Sequence, residues 1–292
     1  MKPSTEITPD ILDNSEYFKN DFFNRFELRY ADVPLRLNES IEKNYQFPTF
    51  YGDVGCAMAV FFCSYHKAKA MLPHPAMEPV SMGKGRALLV FSCYEYRNVL
   101  GVAPYNEIAM TIPIMMKPGL SVPVLPMVLP VFRNFGYYCF SMPVTSLENK
   151  IRGRKIWGLP KVVEEIPIRR EGGLCHIQSI DCENRSYFDL KIPTDGKEVK
   201  FDVASYLYSV NDNRLQQSQT NFRGDFKVTK YMGLLLKKGK APDLDYLTLG
   251  EGPSAEVLRN LEIENHPFQF RYCSSMDSCF DLPNPDFVPP PR

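Results

Sequence analysis

The sequence lacks the short motifs that mark the commonest metal, nucleotide and hydrolase sites. Its eight cysteines stand singly, with no CxxC pair, and its four histidines have neither HxxxH nor HExxH spacing. It has no GxGxxG loop after a predicted strand and no GxSxG elbow. These absences argue against a structural zinc site, a dinucleotide-binding loop and a serine-hydrolase elbow.

The sequence also lacks an excess of charge of either sign. Lys plus Arg number 34 and Asp plus Glu number 34, so the formal net charge at pH 7 is zero. A protein without a strong positive field has no general attraction to nucleic acid or to an acidic membrane surface. We therefore expect neither a nucleic acid nor a membrane as a partner.

Apolar segments of the length required for a leader or a membrane span are missing too. The first residues, MKPSTEITPDILDNSEYF, lack the apolar core of a secretory leader. The most apolar tract, residues 119–132, is too short to span a bilayer and contains three prolines. We expect a cytoplasmic protein whose cysteines are reduced and mostly buried.

Short segments rich in β-branched and aromatic residues are frequent after residue 46, while 25 prolines argue against long helices. Many short strands with few helices favour an antiparallel sheet that curls into a barrel or sandwich. We therefore predict a mainly β (α+β), barrel-like domain over residues 46–292. The predicted strands include residues 55–65, 85–98, 106–116, 174–182, 186–193, 225–238 and 266–282.

Residues 1–45 have a different pattern and are predicted to form an N-terminal helical extension. Phe18, Phe22 and Phe26 are four residues apart, so they would lie on one face of an α-helix. An apolar face of this kind is expected to dock on the larger β domain.

One lysine, Lys161, has apolar neighbours that are unusual for a charged residue. The preceding segment, TSLENKIRGRKIWG (145–158), predicts a helix with a capping box at Thr145 and Glu148 that ends near Gly158. Burial penalises the charged form of a lysine, and the neutral amine attacks carbonyl carbons. The alternative is that Lys161 extends from a strand end into solvent.

The segment GRKIWGLPK (153–161) resembles the active-site segment of the acetoacetate decarboxylase superfamily, in which a Gly-Arg pair leads to a proline and the Schiff-base lysine. Lys161 stands in the place of that lysine. Upstream, YNEIAMTIP (105–113) is similar to a family segment with a tyrosine, a glutamate and a later Ile-Pro, and Glu107 stands at the active-site glutamate. With GEGPSAEVL and the last predicted strand included, the resemblance extends over residues 52–282.

The resemblance implies a function, a site and a mode of assembly. It assigns Lys161 as the Schiff-base nucleophile and Glu107 as a proton shuttle or substrate-orienting group. It implies a small keto acid or aldehyde as the substrate, and a homo-oligomer. It implies no metal or organic cofactor, because the protonated imine itself accepts electrons. The first interpretation is a lyase that decarboxylates a 3-keto acid through the lysine imine.

Two departures from the family pattern keep other functions open. The decarboxylase has a second lysine after the first, where this chain has Val162, and an arginine near the start of the first barrel strand, where residues 53–55 contain none. Arg86 and Arg97 are candidates to replace that arginine, but a surface position is expected for both. The alternatives are an aldolase, dehydratase or cyclase that uses the same lysine, and a non-catalytic small-molecule-binding barrel.

Overall fold

The structure is a computed structural model that describes residues 1–116, 134–236 and 244–289; the apolar tract at residues 119–132 lies outside the described residues. The described α-helices, α1 to α3, are Tyr65–Ala70, Leu147–Trp157 and Pro253–Asn260, and the 3₁₀ helices are Ser15–Phe18, Phe23–Arg25 and Met232–Leu236. The strands, β1 to β17 in chain order, are Arg29–Tyr30, Leu35–Arg36, Glu42–Lys43, Gln46–Phe47, Thr49–Ser64, Met77–Pro79, Arg86–Val99, Tyr105–Met116, Phe135–Val144, Lys161–Val163, Ile168–Glu171, Leu174–Ile180, Ser186–Pro193, Lys197–Asn211, Arg214–Lys230, Leu247–Leu249 and Gln269–Pro283.

Seven strands close into a barrel in the order β9-β14-β15-β17-β5-β7-β8, and pairing of β8 with β9 completes it. Neighbouring strands are antiparallel except β14 and β9, which are parallel at Leu207 and Tyr208. The short β10 also pairs in parallel with β9. The predicted mainly β, barrel-like fold is confirmed, with these parallel contacts as a small departure from a fully antiparallel sheet.

A second, four-stranded sheet, β11-β12-β13-β16, packs against the barrel. Alternate side chains of β8 point to opposite sides of the barrel wall. Ile108 and Met110 belong to the core that also contains Phe188 of β13. Glu107 and Ala109 line the barrel interior instead. Because both faces of β8 are covered, a polar residue on its inner face is removed from bulk water.

Helix α2 leads into the lysine segment. Its N-cap is Ser146, one residue after the predicted Thr145, and the Ser146 Oγ accepts a hydrogen bond from the backbone N–H of Asn149 at 3.2 Å. Gly158 ends the helix in the left-handed conformation (φ 60°), as predicted. Lys161 begins β10 three residues later. Within the described ranges, no helix has the length and apolar character to cross a membrane.

The N-terminal segment docks on the barrel, but it does not form the α-helix that its spacing predicts. The Asn20 side-chain oxygen accepts a hydrogen bond from the backbone N–H of Phe22 at 3.0 Å, which favours a local turn over a continuing helix. Phe26 follows in an extended conformation. Phe18 and Phe22 are nevertheless buried in a cluster with Phe50 of β5. In place of the predicted α-helix, residues 1–45 contain two short 3₁₀ helices and the two-residue strands β1, β2 and β3.

Candidate active site

Lys161 lies at the first position of β10, and its side chain lines the interior of the barrel. The residue is 6% exposed, and it pairs with Met142 of β9. Helix α2 packs closely against the lysine side chain, since a Cβ added at Gly153 would lie 2.4 Å from Lys161 Cδ. The glycine of the Gly-Arg pair thus leaves the space that the lysine side chain occupies.

Glu107 faces Lys161 from β8. The Lys161 Nζ donates a hydrogen bond to Glu107 Oε2 at 2.6 Å, and Glu107 is 5% exposed. The Tyr96 hydroxyl donates to the other carboxylate oxygen, Oε1, at 3.3 Å. The two residues singled out from the sequence are therefore in direct contact, although 54 positions separate them in the chain. A proton can pass between the amine and the carboxylate along one short hydrogen bond.

Buried tyrosines surround this pair. The Tyr105 ring centroid lies 5.7 Å from Lys161 Nζ, and the Tyr105 hydroxyl hydrogen-bonds to Tyr51. Burial raises the pKa of Tyr96 and Tyr105 well above the usual range, and the nearby charge of Glu107 raises both further. Burial also raises the pKa of Tyr51 to about 12. These hydroxyls therefore stay protonated at neutral pH and act as hydrogen-bond donors.

A cavity of about 140 Å³ lies inside the barrel and includes Lys161 and Glu107 in its wall. Trp157 and Leu159 contribute apolar surface to the same wall. Val162 does not, because it is 40% exposed and is not among the cavity-lining residues. The residue that directly follows the lysine therefore contributes nothing to the desolvation of Lys161.

Neither of the two arginines considered as carboxylate ligands reaches the cavity. Arg86 is buried rather than on the surface, and its Nη2 donates to Glu264 Oε2 at 2.9 Å. Arg97 forms ion pairs with Asp53 at 2.9 Å and with Glu95 at 2.7 Å. The charges of both arginines are thus matched by carboxylates away from Lys161.

Two other arginines, Arg152 and Arg271, line the cavity. Arg152 is 2% exposed; its Nη1 donates to Asn149 Oδ1 at 3.0 Å, and its Nη2 donates to Thr49 Oγ1 at 3.1 Å. Its Cζ lies 4.2 Å from the centroid of the Tyr45 ring. The Nε is buried without a hydrogen-bond partner, and no carboxylate of the described residues pairs with the guanidinium. Because a guanidinium stays charged when buried, Arg152 is suited to bind an anion.

Arg152 was not predicted as a site residue, because it stands directly before the Gly-Arg pair and resembles an ordinary polar residue of a short helix. The signal that could have found it is the helical spacing. Asn149, Arg152 and Gly153 are three and four residues apart, so they lie on one side of α2. Gly153 contacts Lys161 from that side, which brings Arg152 to the same cavity.

Comparisons with known proteins identify the family of the chain. The sequence profile of the family described as acetoacetate decarboxylase (ADC) matches residues 32–217, which is more than half of the chain. No curated protein sequence matches the chain.

Several solved structures have a similar fold. Acetoacetate decarboxylase from Legionella pneumophila aligns with a TM-score of 0.58 and 13% identity over 95% of this chain and 97% of that chain. The enduracididine biosynthesis enzyme MppR complexed with pyruvate aligns with a TM-score of 0.54 and 14% identity over 80% of this chain and 90% of that chain. An acetoacetate decarboxylase-like enzyme from Sphingomonas wittichii aligns with a TM-score of 0.52 and 12% identity over 81% of this chain and 91% of that chain. At these identities the structures establish the fold alone, whereas the profile match establishes that the chain belongs to the acetoacetate decarboxylase family.

Proposed function

We propose that the protein is a Schiff-base-forming lyase that acts on a small keto acid through Lys161, with decarboxylation of a 3-keto acid as the first candidate reaction. The observation that carries this proposal is the 2.6 Å contact between Lys161 Nζ and Glu107 Oε2 beside a cavity that Arg152 also lines. An amine, a proton acceptor and an anion ligand are the groups that imine chemistry on a keto acid requires.

The reaction begins with proton transfer from Lys161 to Glu107, which leaves a neutral amine beside a neutral carboxylic acid. The amine attacks the ketone carbon, and the resulting carbinolamine takes the proton back from Glu107 and loses water to give a protonated imine. The bond to the carboxylate carbon then breaks. Its electron pair moves toward the imine nitrogen, which gives an enamine and carbon dioxide. Glu107, reprotonated from solvent, protonates the enamine carbon, and water hydrolyses the imine to release the ketone.

In this proposal Arg152 binds the substrate carboxylate. Each Nη has a second N–H besides the one given to Asn149 or Thr49, and the planar guanidinium matches the geometry of a carboxylate. The guanidinium would thereby take over the role of the arginine that residues 53–55 lack. Tyr96, which donates to Glu107, would stabilise the carboxylate form of Glu107 each time it gives up its proton.

The same imine supports aldol addition, dehydration or cyclisation, and these reactions form the second candidate. One observation that favours them is the exposed Val162, since the site lacks the second lysine of the decarboxylase pattern. Another is that MppR was solved with pyruvate and with the condensation product of pyruvate and imidazole 4-carboxaldehyde. In such reactions the carboxylate stays on the substrate, and Arg152 would anchor it throughout.

A third candidate is a non-catalytic barrel that binds small molecules. It requires that Lys161 be unreactive despite its contact with the cavity. The resemblance to the family also supports a cytoplasmic homo-oligomer, which cell fractionation and light scattering of the purified protein would test.

Borohydride trapping with a panel of acetoacetate, pyruvate and a small aldehyde, read by intact mass, tests the role of Lys161. We expect one reduced adduct per wild-type chain and none in Lys161→Met, which keeps an unbranched side chain, one atom shorter, but removes the amine. Lys155→Met is the matched control, because Lys155 lies on α2, six residues before Lys161, and its Nζ donates a hydrogen bond to the carbonyl oxygen of Arg36. That variant should trap as well as the wild type.

The outcomes separate the three candidates. Trapping together with carbon dioxide release from acetoacetate supports the decarboxylase, whereas trapping of pyruvate or the aldehyde without that release supports the aldolase or dehydratase. Absence of trapping with every compound supports the binding barrel. Lys161→Met leaves Glu107 buried without its cation, so Lys161→Met/Glu107→Gln serves as a second, charge-balanced variant. An adduct that persists in both would assign the imine to another lysine.

A further inference from the structure

Arg271 is a second cationic group in the cavity, and the reaction proposed above does not use it. It lies on β17 and lines the same cavity as Lys161. Among the residues that the structure describes, none bonds to its buried Nε, and its Nη2 makes one long hydrogen bond, 3.4 Å, to Gln269 Oε1. Its Cζ lies 4.9 Å from the centroid of the Phe201 ring. The guanidinium is therefore positioned by packing, while most of its donors remain uncommitted.

The strand register gives the position of Arg271 relative to the Lys161–Glu107 pair. Arg271 pairs with Met58, Met58 with Ser92, and Ser92 with Ala109. All four line the cavity, so they form one level of the barrel interior. Glu107 precedes Ala109 by two residues on β8, which corresponds to a step of about 7 Å along the strand. Arg271 therefore lies on a different part of the cavity wall from the Lys161–Glu107 pair, three strands away from β8.

Tyr137 adds a second polar group to the cavity wall. It lines the cavity from β9, and burial raises its pKa while the Arg271 charge opposes that rise. The guanidinium and the phenol both line this cavity. A protonated phenol and a guanidinium are both donors suited to an anion.

The charges of the cavity wall do not balance. Glu107 and Lys161 neutralise each other, whereas no carboxylate of the described residues pairs with Arg152 or Arg271. Uncompensated charges in a partly dehydrated cavity are costly to maintain. One substrate carboxylate matches one of these arginines and leaves the other unmatched.

We propose that Arg271 is a second anion subsite, so that the substrate is a keto acid with another carboxylate at the far end of its chain. This inference rests on the proposed function, because it takes the ketone to be held at Lys161. One carboxylate binds Arg152 beside the reacting carbon, and the other binds Arg271 and Tyr137 elsewhere in the same cavity.

A matched pair of compounds tests the subsite: 3-oxohexanedioate and 3-oxohexanoate, which have the same chain length and differ in one carboxylate. The measured quantity is the ratio of their second-order rate constants for imine trapping. In the wild type we expect 3-oxohexanedioate to be preferred by about 10- to 100-fold, the usual effect of a hydrogen-bonded charge pair. In Arg271→Met the ratio should fall close to one, and Arg271→Lys should restore part of it. Arg169→Met, which removes an exposed arginine, is the control and should keep the wild-type ratio.

Three results would overturn the inference or its basis in different ways. A wild-type ratio near one rejects the second subsite while the proposed function stands. Equal losses on both compounds in Arg271→Met, with the ratio unchanged, assign Arg271 a structural role, and thermal unfolding of both Arg271 variants identifies that case. Absence of trapping with either compound, and with the acetoacetate panel, rejects the proposed function itself.

Discussion

Glu107 and Glu164 are two buried glutamates near Lys161, and they have different partners. Their exposures are almost equal, at 5% and 7%. Glu107 accepts a hydrogen bond from the Lys161 ammonium group at 2.6 Å. Glu164, three residues after Lys161 in the chain, accepts hydrogen bonds from two hydroxyls, Ser179 at 2.6 Å and Tyr187 at 2.8 Å.

Their surroundings differ as much as their partners. Glu107 lines the cavity, whereas Glu164 is not among the cavity-lining residues and bonds to β12 and β13 of the second sheet. Burial raises the pKa of Glu164, and the bonds from Ser179 and Tyr187 oppose the rise. Burial alone therefore does not mark a glutamate as a candidate for catalysis. A cationic partner and access to a cavity distinguish Glu107.

The same exchange at both glutamates tests this distinction most directly. Glu107→Gln should lower the rate of imine trapping, and turnover where it is observed, by about 10² to 10⁴-fold, because glutamine cannot accept the proton of Lys161. Glu164→Gln should keep both rates within a few-fold of the wild type. Stopped-flow or quench measurements with the best trapped keto acid give the comparison. Similar losses in the two variants would mean that Glu107 acts through stability rather than through proton transfer.

Gly153→Ala tests whether the position of the Lys161 side chain beside Glu107 matters for the reaction. A Cβ at this position would lie 2.4 Å from Lys161 Cδ, so the lysine side chain must move. We expect imine trapping to slow by about 10- to 100-fold, because small displacements of reacting groups have effects of that size. The midpoint of thermal unfolding should not fall in parallel, since alanine favours a helix by about 1 kcal/mol over glycine. Arg154→Ala, on the exposed side of α2, is the control; if it slows trapping equally, the effect belongs to the helix and not to the lysine.

The sequence predicted the architecture better than it predicted the site. Apolar and aromatic runs were sufficient for strands such as β5, β7 and β8, because buried barrel strands are recognisable locally. The hairpin of β14 and β15 was not predicted, although Asp212 and Asn213 at its turn both have positive φ and are typical turn residues. The division of the chain after residue 45 stays a prediction.

The site depended on contacts between distant residues. Lys161 and Glu107 could be paired only through the family resemblance, because nothing local connects residues 54 positions apart. Arg152 is buried by Tyr45 and Thr49, which lie about a hundred residues upstream, so its helical spacing could indicate its side of α2 but not these contacts. The phenylalanines of the N-terminal segment pack against the barrel, as their spacing predicts, but the segment does so without forming an α-helix.

The smallest predicted effect concerns the stability contributed by Glu164. Its pKa in the folded protein is raised by burial, so the folded state holds the proton more tightly than the unfolded chain does. Its contribution to the free energy of unfolding is therefore fully present below the unfolded pKa and is lost as pH rises through the folded pKa.

Glu164→Gln should lower the free energy of unfolding by about 1 kcal/mol or less at pH 4, from altered hydrogen bonding, and this difference should shrink as pH rises. Ser179→Ala should steepen the pH dependence, because it removes a bond that lowers the pKa of Glu164. Denaturant unfolding of the three proteins between pH 4 and pH 8 gives the differences directly. A constant gap between Glu164→Gln and the wild type across that range would show that Glu164 does not titrate as proposed.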